Sequence, residues 1–321
     1  MSVPPDRGTA RPLSGNAPML TRNLDAFLAA ARTCAPDFGP ATAKAAFLVA
    51  PDGFGLAAES ASDNRYMAEA AAFDAARASA QHRELQRALS AELPVICFAG
   101  DPATPDAVFP NNVFATAPGR SIIGRMRHPV RQREAARNDI RRFFIESLGR
   151  TEIDLSAQPH VCELTGALAI DRARGLGFCG LSERCDEAGA RLMHDAFGLR
   201  ATLMFDLAPG EYHTNVVLAV LAGRAALICA DGFADPAAAD VIAACYAPHA
   251  IRLSPAERAA FAGNAISLAP DSVWMSATAA RGLSDASRAS LAAAGFKVRE
   301  VELNAIEAAG GSLRCCVGEI F

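Results

Sequence analysis

Apolar residues along the chain alternate over short runs that come in pairs, and each pair is followed by a helical stretch. "VFATAPGRSIIGRM" (113–126) is two β-rich runs around a Pro-Gly turn. "ALAIDRARGLGFCGLS" (167–182), "VVLAVLAGRAALICA" (216–230) and "AISLAPDSVWMSA" (265–277) repeat the form, and each predicts a hairpin. Helix starts are marked behind them. Ser254-Pro255-Ala256-Glu257 reads as a capping box, Asp235-Pro236 opens a helix towards Tyr246, and Ser182 and Ser284 open two more, with Gly295 as the stop of the last. Short strands follow at 201–206, 250–254 and 297–303. The unit is strand, strand, helix, strand, recurring about every 50 residues. A fifth unit is assembled from the two ends. "RCCVGEIF" and "KAAFLVAP" (44–51) pair, a long helix spans 64–90, and "PVICFAG" (94–100) completes the unit. Five such α/β units of ββαβ form predict a ring closed by the N- and C-terminal strands, which protects the terminal edges.

Equivalent positions of a ring meet near its axis. The polar residues at the heads of the hairpins are Asn112, Glu163, His213, Asn264 and Cys315, spaced by 50 or 51 residues. The ring therefore predicts that Glu163, His213 and Cys315 converge. A cysteine nucleophile needs its thiolate, which a free thiol near pKa 8.5 supplies poorly at neutral pH. A histidine takes the thiol proton and later serves as general acid, and a glutamate orients the imidazole. Asparagine amides offer donors and an acceptor to a polar substrate. The plain alternatives are a hydrogen-bonded structural His, a surface Glu and turn-forming Asn. The phasing of several polar types at one repeat position favours chemistry. Cys315 and Cys316 fall in the predicted last strand, so the pleat turns one to the axis and the other into packing. The other histidines, His82, His128, His160, His194 and His249, show no phasing and read as structural.

The chain has 321 residues, 51% of them hydrophobic, and a net charge of -4. No basic stripe or long apolar run is present, which disfavours nucleic-acid and membrane partners. Residues 1–20 read as a loose, disordered tail and 21–321 as a single catalytic domain. Nine cysteines without a CxxC pair fit small buried hydrophobes in a reducing cytoplasm. No Cys/His pair has zinc spacing.

The stretches "TPDAVFPNNVFAT", "CELTGALAIDR", "LSERCDE", "EYHTNVVLAV", "AGNAISL" and "GGSLRCCVGEIF" resemble the guanidino-group modifying superfamily of arginine deiminases, dimethylarginine hydrolases and amidinotransferases. The resemblance is closest to its bacterial amidinotransferase-like branch associated with citrulline utilization, and covers about residues 44–321. It implies a five-bladed α/β propeller (pentein), with Cys315 as nucleophile and His213 and Glu163 as its catalytic partners. Asn111, Asn112, Asn215 and Asn264 become substrate-positioning candidates. Asp106 and the Gly310-Gly311 turn are candidates for shaping the pocket, although a solvated loop is the plainer reading of Asp106. Two family carboxylates that hold a guanidinium are replaced here, by Ala115-Thr116-Ala117 and by Asn215. Ala50 and the region of Ala57 also depart from the branch pattern. A neutral ureido group, as in citrulline, suits asparagine better than a cation does. The expectation is a cysteine hydrolase of a C–N bond in a ureido or guanidino amino acid, needing no metal or organic cofactor, with homo-oligomerisation open. Arginine or methylarginine hydrolysis, amidino transfer, a binding protein with a relic site, and a redox role for the adjacent cysteines are the rivals.

Overall fold

A computed structural model describes residues 17–67 and 73–321. Its strands form five separate sheets. In the sheet built from Phe114–Ala117, Arg120–Ile123 and Thr151–Asp154, an antiparallel hairpin is extended by a parallel strand. Leu218–Leu221, Ala225–Ile228 and Ala250–Arg252 repeat that pattern. So do Leu168–Asp171, Leu176–Leu181 and Ala201–Asp206. The two ends of the chain meet as expected: Gly318–Ile320 pairs antiparallel with Ala45–Val49, which pairs parallel with Val95–Phe98. Each parallel step is bridged by helix, because a parallel neighbour needs a crossover connection. Examples are Ala75–Ser90, Glu187–Phe197, Pro236–Tyr246 and Asp285–Ala293.

Several expectations are corrected. The fourth hairpin shrinks to one bridge, Ile266 to Trp274, beside the parallel pair Ser272–Ser276 and Lys297–Val301. Pro270 interrupts that stretch, and proline has no N–H to give a ladder. Ser182 does not open a helix. Asp186 caps Glu187–Phe197 by accepting from the Gly189 N–H, while the Ser182 hydroxyl donates to the Tyr212 carbonyl, 2.7 Å away. The expected helix over 64–90 starts only at Ala75, capped by Asp74, and residues 68–72 of that expectation lie outside the described residues. Met19 and Leu20, expected in the tail, form the strand Met19–Thr21 parallel to Ala201–Asp206; residues 1–16 lie outside the described residues.

The other helix signals act as read. Ser254 and Glu257 form the complete capping box, and Ser284 caps Asp285–Ala293. The sheets bury their apolar faces against the helices; Phe27 and Phe178 meet edge-to-face at 5.7 Å in the largest core cluster. Full burial of such side chains contributes roughly 1.5–3 kcal/mol each. No helix among the described residues is long and apolar enough to cross a membrane.

The last strand holds neither of the adjacent cysteines. Both sit in a single helical turn, Leu313–Cys316, that precedes it. Similar turns head other hairpins: Pro110–Asn112, Leu164–Ala167 and Thr214–Val217. The separation of Cys315 and Cys316 is therefore helical, about 100° apart on a turn, rather than a strand pleat.

Candidate functional site

These turns converge on one cavity with about 330 Å³ of atom-free space. Cys315, His213, Asn112 and Asp106 line it, together with the Gly310-Gly311 turn. His213 and Glu163 immediately precede their turns, in the cap position. The sequence spacing hides a difference of register. Glu163 and His213 stand five residues before the first paired strand residue, Leu168 and Leu218. Cys315 and Asn215 stand three before theirs, and Asn112 and Asn264 two before. The 50-residue interval is thus not one structural position. The residues converge because all of them lie within about one turn of the same hairpin heads.

Glu163 and His213 are completely buried, and the His213 Nε2–H donates to Glu163 Oε2 at 2.8 Å. Glu163 also accepts from the Arg127 backbone N–H at 3.0 Å and from Arg184 Nη1 at 3.3 Å. Burial alone would raise its carboxyl, but Arg184, the His213 hydrogen bond and the more distant Arg131 hold it well below the usual carboxylate range. An ionised Glu163 accepts only, so the His213 proton sits on Nε2 and Nδ1 carries the lone pair. Nδ1 has no partner among the described residues. Burial pushes the imidazole below its ordinary value, with Glu163 offsetting only part of it. His213 is therefore neutral at pH 7, oriented to take a proton.

Burial likewise raises the Cys315 thiol, offset in part by hydrogen bonds from the turn and from Asn264. Asn264 Nδ2 donates to Sγ at 3.3 Å and to the Asn215 carbonyl at 2.9 Å, while its Oδ1 accepts the Arg314 N–H. Asn215 Nδ2 stands 3.8 Å from the sulfur. Asn215 and Asn264 thus approach the Cys315 sulfur and do not line this cavity, against the expectation that both position substrate. Asn111 is also off the cavity wall; it is buried, and its carbonyl accepts from the Thr165 hydroxyl at 3.0 Å. Asp106 is not a solvated loop residue. It is buried, accepts from the Ser60 hydroxyl at 2.5 Å, and its loop is pinned by Arg131, which bonds the Phe109 carbonyl and chelates Glu134.

Sequence reasoning missed Arg184, Tyr212, Asn64 and Ser60, all on the wall. Tyr212 packs its ring 4.6 Å from that of His213 and donates to the Gly310 carbonyl at 2.5 Å. Gly310 takes φ +78° and leaves no room for a Cβ beside Asn64, so both conformation and space demand glycine. "LSERCDE" lies among the family-like stretches, yet no spacing marks Arg184 within it.

Gly166 sets the clearance of the site. A Cβ there would lie 2.8 Å from His213 Cε1 and 2.9 Å from Asn112 Oδ1. Gly166→Ala is expected to lower kcat roughly 10- to 100-fold by displacing the imidazole, and to cost about 1–3 kcal/mol by overpacking. Kinetics with thermal unfolding check this; an unchanged kcat would show that His213 tolerates the shift.

The model of the family described as N,N dimethylarginine dimethylhydrolase, eukaryotic, matches residues 50–321. No curated protein matches the chain. Among solved structures, the N-terminal domain of ArgZ, an arginine dihydrolase from the ornithine-ammonia cycle in cyanobacteria, is 22% identical with a TM-score of 0.74, over 86% of this chain and 97% of that one. Unliganded AgrE is 23% identical with a TM-score of 0.74, over 86% of this chain and 39% of that one. A dimethylarginine dimethylaminohydrolase variant carrying an S-methyl-L-thiocitrulline adduct is 21% identical, with a TM-score of 0.66 over 87% of this chain and all of that one. This chain belongs to the N,N-dimethylarginine dimethylhydrolase family, within the guanidino-group modifying pentein superfamily.

Proposed function

We propose that the protein is a cysteine-dependent hydrolase of a C–N bond in an arginine-type guanidino amino acid. The observation that carries the reading is the shared cavity of Cys315 and a buried His213 whose Nδ1 is left free by the Glu163 bond. Family membership and the arginine dihydrolase and dimethylarginine dimethylaminohydrolase neighbours support the substrate class.

His213 Nδ1 takes the Cys315 proton as Sγ bonds to the guanidinium carbon. The protonated imidazole then gives that proton to the departing nitrogen, and the C–N bond breaks to leave a planar S-linked intermediate. His213 next takes a proton from water as the C–O bond forms. The C–S bond breaks, the thiol recovers the proton, and the products are a ureido amino acid and ammonia or an amine. Glu163 stabilises the imidazolium formed in each half. Asn112 and Asp106 face the substrate, while Asn215 and Asn264 position the sulfur.

A cationic guanidinium beside Sγ would add to the positive charge that Arg314 and Arg131 already direct at the sulfur, and so would stabilise its thiolate further. A neutral ureido substrate of the citrulline type is the second reading, favoured by amides rather than carboxylates against the sulfur. We also read the five sheets as the blades of a closed ring, supported by their repeated strand order. Residues 21–321 then make one catalytic domain, and the nine unpaired cysteines fit a reducing cytoplasm.

The test is product analysis on arginine, methylated arginines, agmatine and citrulline, with and without an added amine. Ammonia or methylamine release from an arginine-type substrate, unaffected by the amine, is expected. Release from citrulline alone selects the ureido reading, and a new guanidino product formed with the amine selects transfer.

A further inference from the structure

A second cavity, with about 550 Å³ of atom-free space open in part to solvent, lies on the other side of the turns that carry the nucleophile. Asn215, Thr165 and Arg314 belong to its wall, so it shares those turns with the catalytic cavity, but neither Cys315 nor His213 lines it. Its charges do not cancel. Arg314 is paired with Glu319 at 2.9 Å and bonds the Val317 carbonyl. Arg172, also on the wall, forms no ion pair among the described residues; the opposite charge acting on it is that of Glu319, which Arg314 already engages.

Arg172 is more than nine-tenths buried, with 8% of its surface exposed. One nitrogen, Nη1, donates to the Thr116 carbonyl at 3.0 Å, its only hydrogen bond among the described residues. Its guanidinium lies over the rings of Phe321, at 4.2 Å, and Phe197, at 5.0 Å. These rings fix the plane of the group without satisfying its charge. A buried guanidinium left unpaired is costly, and a cation–π contact offsets only a fraction of that cost. A second polar group faces the same space. Ser267, itself 4% exposed, has a hydroxyl with no partner among the described residues. A planar cation without an ion pair and a spare hydroxyl on one cavity wall are complementary to an oxyanion, which accepts from both.

We propose that this cavity is a binding site for a small oxyanion, a carboxylate or a phosphate, held by Arg172 and Ser267. The ligand is small because the wall is otherwise close-packed by Leu168, Leu218 and Ile266. The site is a separate cavity, but its wall includes residues that support the sulfur. Asn215, on its wall, also donates towards Cys315 Sγ, and Arg314 holds the Asn264 amide that bonds the sulfur.

The test is titration with ¹³C-acetate and, separately, inorganic phosphate at constant ionic strength, read by NMR line broadening and by the thermal midpoint. The wild type is expected to respond saturably to at least one of the two, with chloride having no comparable effect. A response to acetate alone assigns the site to carboxylates, and one to phosphate alone assigns it to phosphates. Arg172→Gln is expected to weaken binding at least about tenfold, as loss of a charge-assisted pair implies, and Ser267→Ala to weaken it less. No saturable response in the wild type, or the same affinity in folded Arg172→Gln, overturns the proposal. Because Arg172→Gln removes a buried side chain and could misfold, Ala41→Trp at the partly exposed rim serves as the second variant. It leaves Arg172 in place and should block entry, and undiminished binding in it also overturns the proposal.

Discussion

Cys315→Ser is expected to lower turnover by at least about 10⁴-fold while leaving the protein folded, the scale of removing a nucleophile from a coupled catalytic unit. The geometry explains both halves of that outcome. On the mechanism proposed above, the Cys315 sulfur is the nucleophile on the wall it shares with His213, and a serine hydroxyl is far harder to ionise than a thiol already pushed up by burial. The fold does not depend on the sulfur. Asn264 Nδ2 keeps its 2.9 Å bond to the Asn215 carbonyl, and the turn keeps the Cys315 N–H to Ser312 carbonyl bond at 3.0 Å. The stability change should stay within about 1 kcal/mol. Steady-state kinetics with circular dichroism and thermal unfolding decide the matter; activity within tenfold of wild type would end the proposal of covalent catalysis at this residue.

Glu163→Gln carries the second large effect, a loss of about 10²–10⁴ in kcat with KM little changed. In the proposed mechanism the carboxylate, which does not line the cavity, fixes the His213 proton on Nε2 and stabilises the imidazolium. A glutamine amide can instead donate to Nε2, which moves the imidazole proton to Nδ1, the atom that must accept from the thiol. The pH dependence has a definite sign. His213 already titrates below its ordinary value, and losing the Glu163 charge lowers it further, so the acid limb of kcat/KM moves to lower pH. Glu163 has a folded pKa below its unfolded one, near 4.3. Its contribution to stability is therefore full above that unfolded value and is lost as pH falls through the lower folded value. The stability gap between wild type and variant should close on acidification. An acid limb that stays in place in the variant, with kcat preserved, would remove Glu163 from the mechanism.

The order of strands and helices was legible in the sequence because each module carries its own local signals: turn glycines, capping residues and alternation. The convergence of Cys315, His213 and Glu163 was legible from the repeat, though for a looser reason than a common register. Their side chains need only fall within about a helical turn of each hairpin head, and a 50-residue spacing satisfies that despite offsets of three to five residues. What stayed hidden depends on contacts that no local pattern encodes. The turn Leu313–Cys316 reads as strand because three of its four residues are apolar and it leads into one. Arg184 reaches the site from a turn whose position is set by its pairs with Asp63 and Glu163, distant in the chain. Ser182 has a good capping side chain, but the Tyr212 carbonyl claims its hydroxyl. Met19–Thr21 is short, and only the free edge of Ala201–Asp206 makes a strand of it.

The one-turn helices at the hairpin heads separate what the molecule is from what it does. Their backbone bonds are closed within the turn, and the strands behind them are secured by their own ladders. A head side chain can therefore be exchanged without undoing the ladder behind it, although neighbouring heads are tied to one another, as Asn264 is to the Asn215 carbonyl. Such an arrangement lets the preference for a charged or a neutral substrate drift through single replacements at positions such as Asn215, while the nucleophile and its imidazole stay in place.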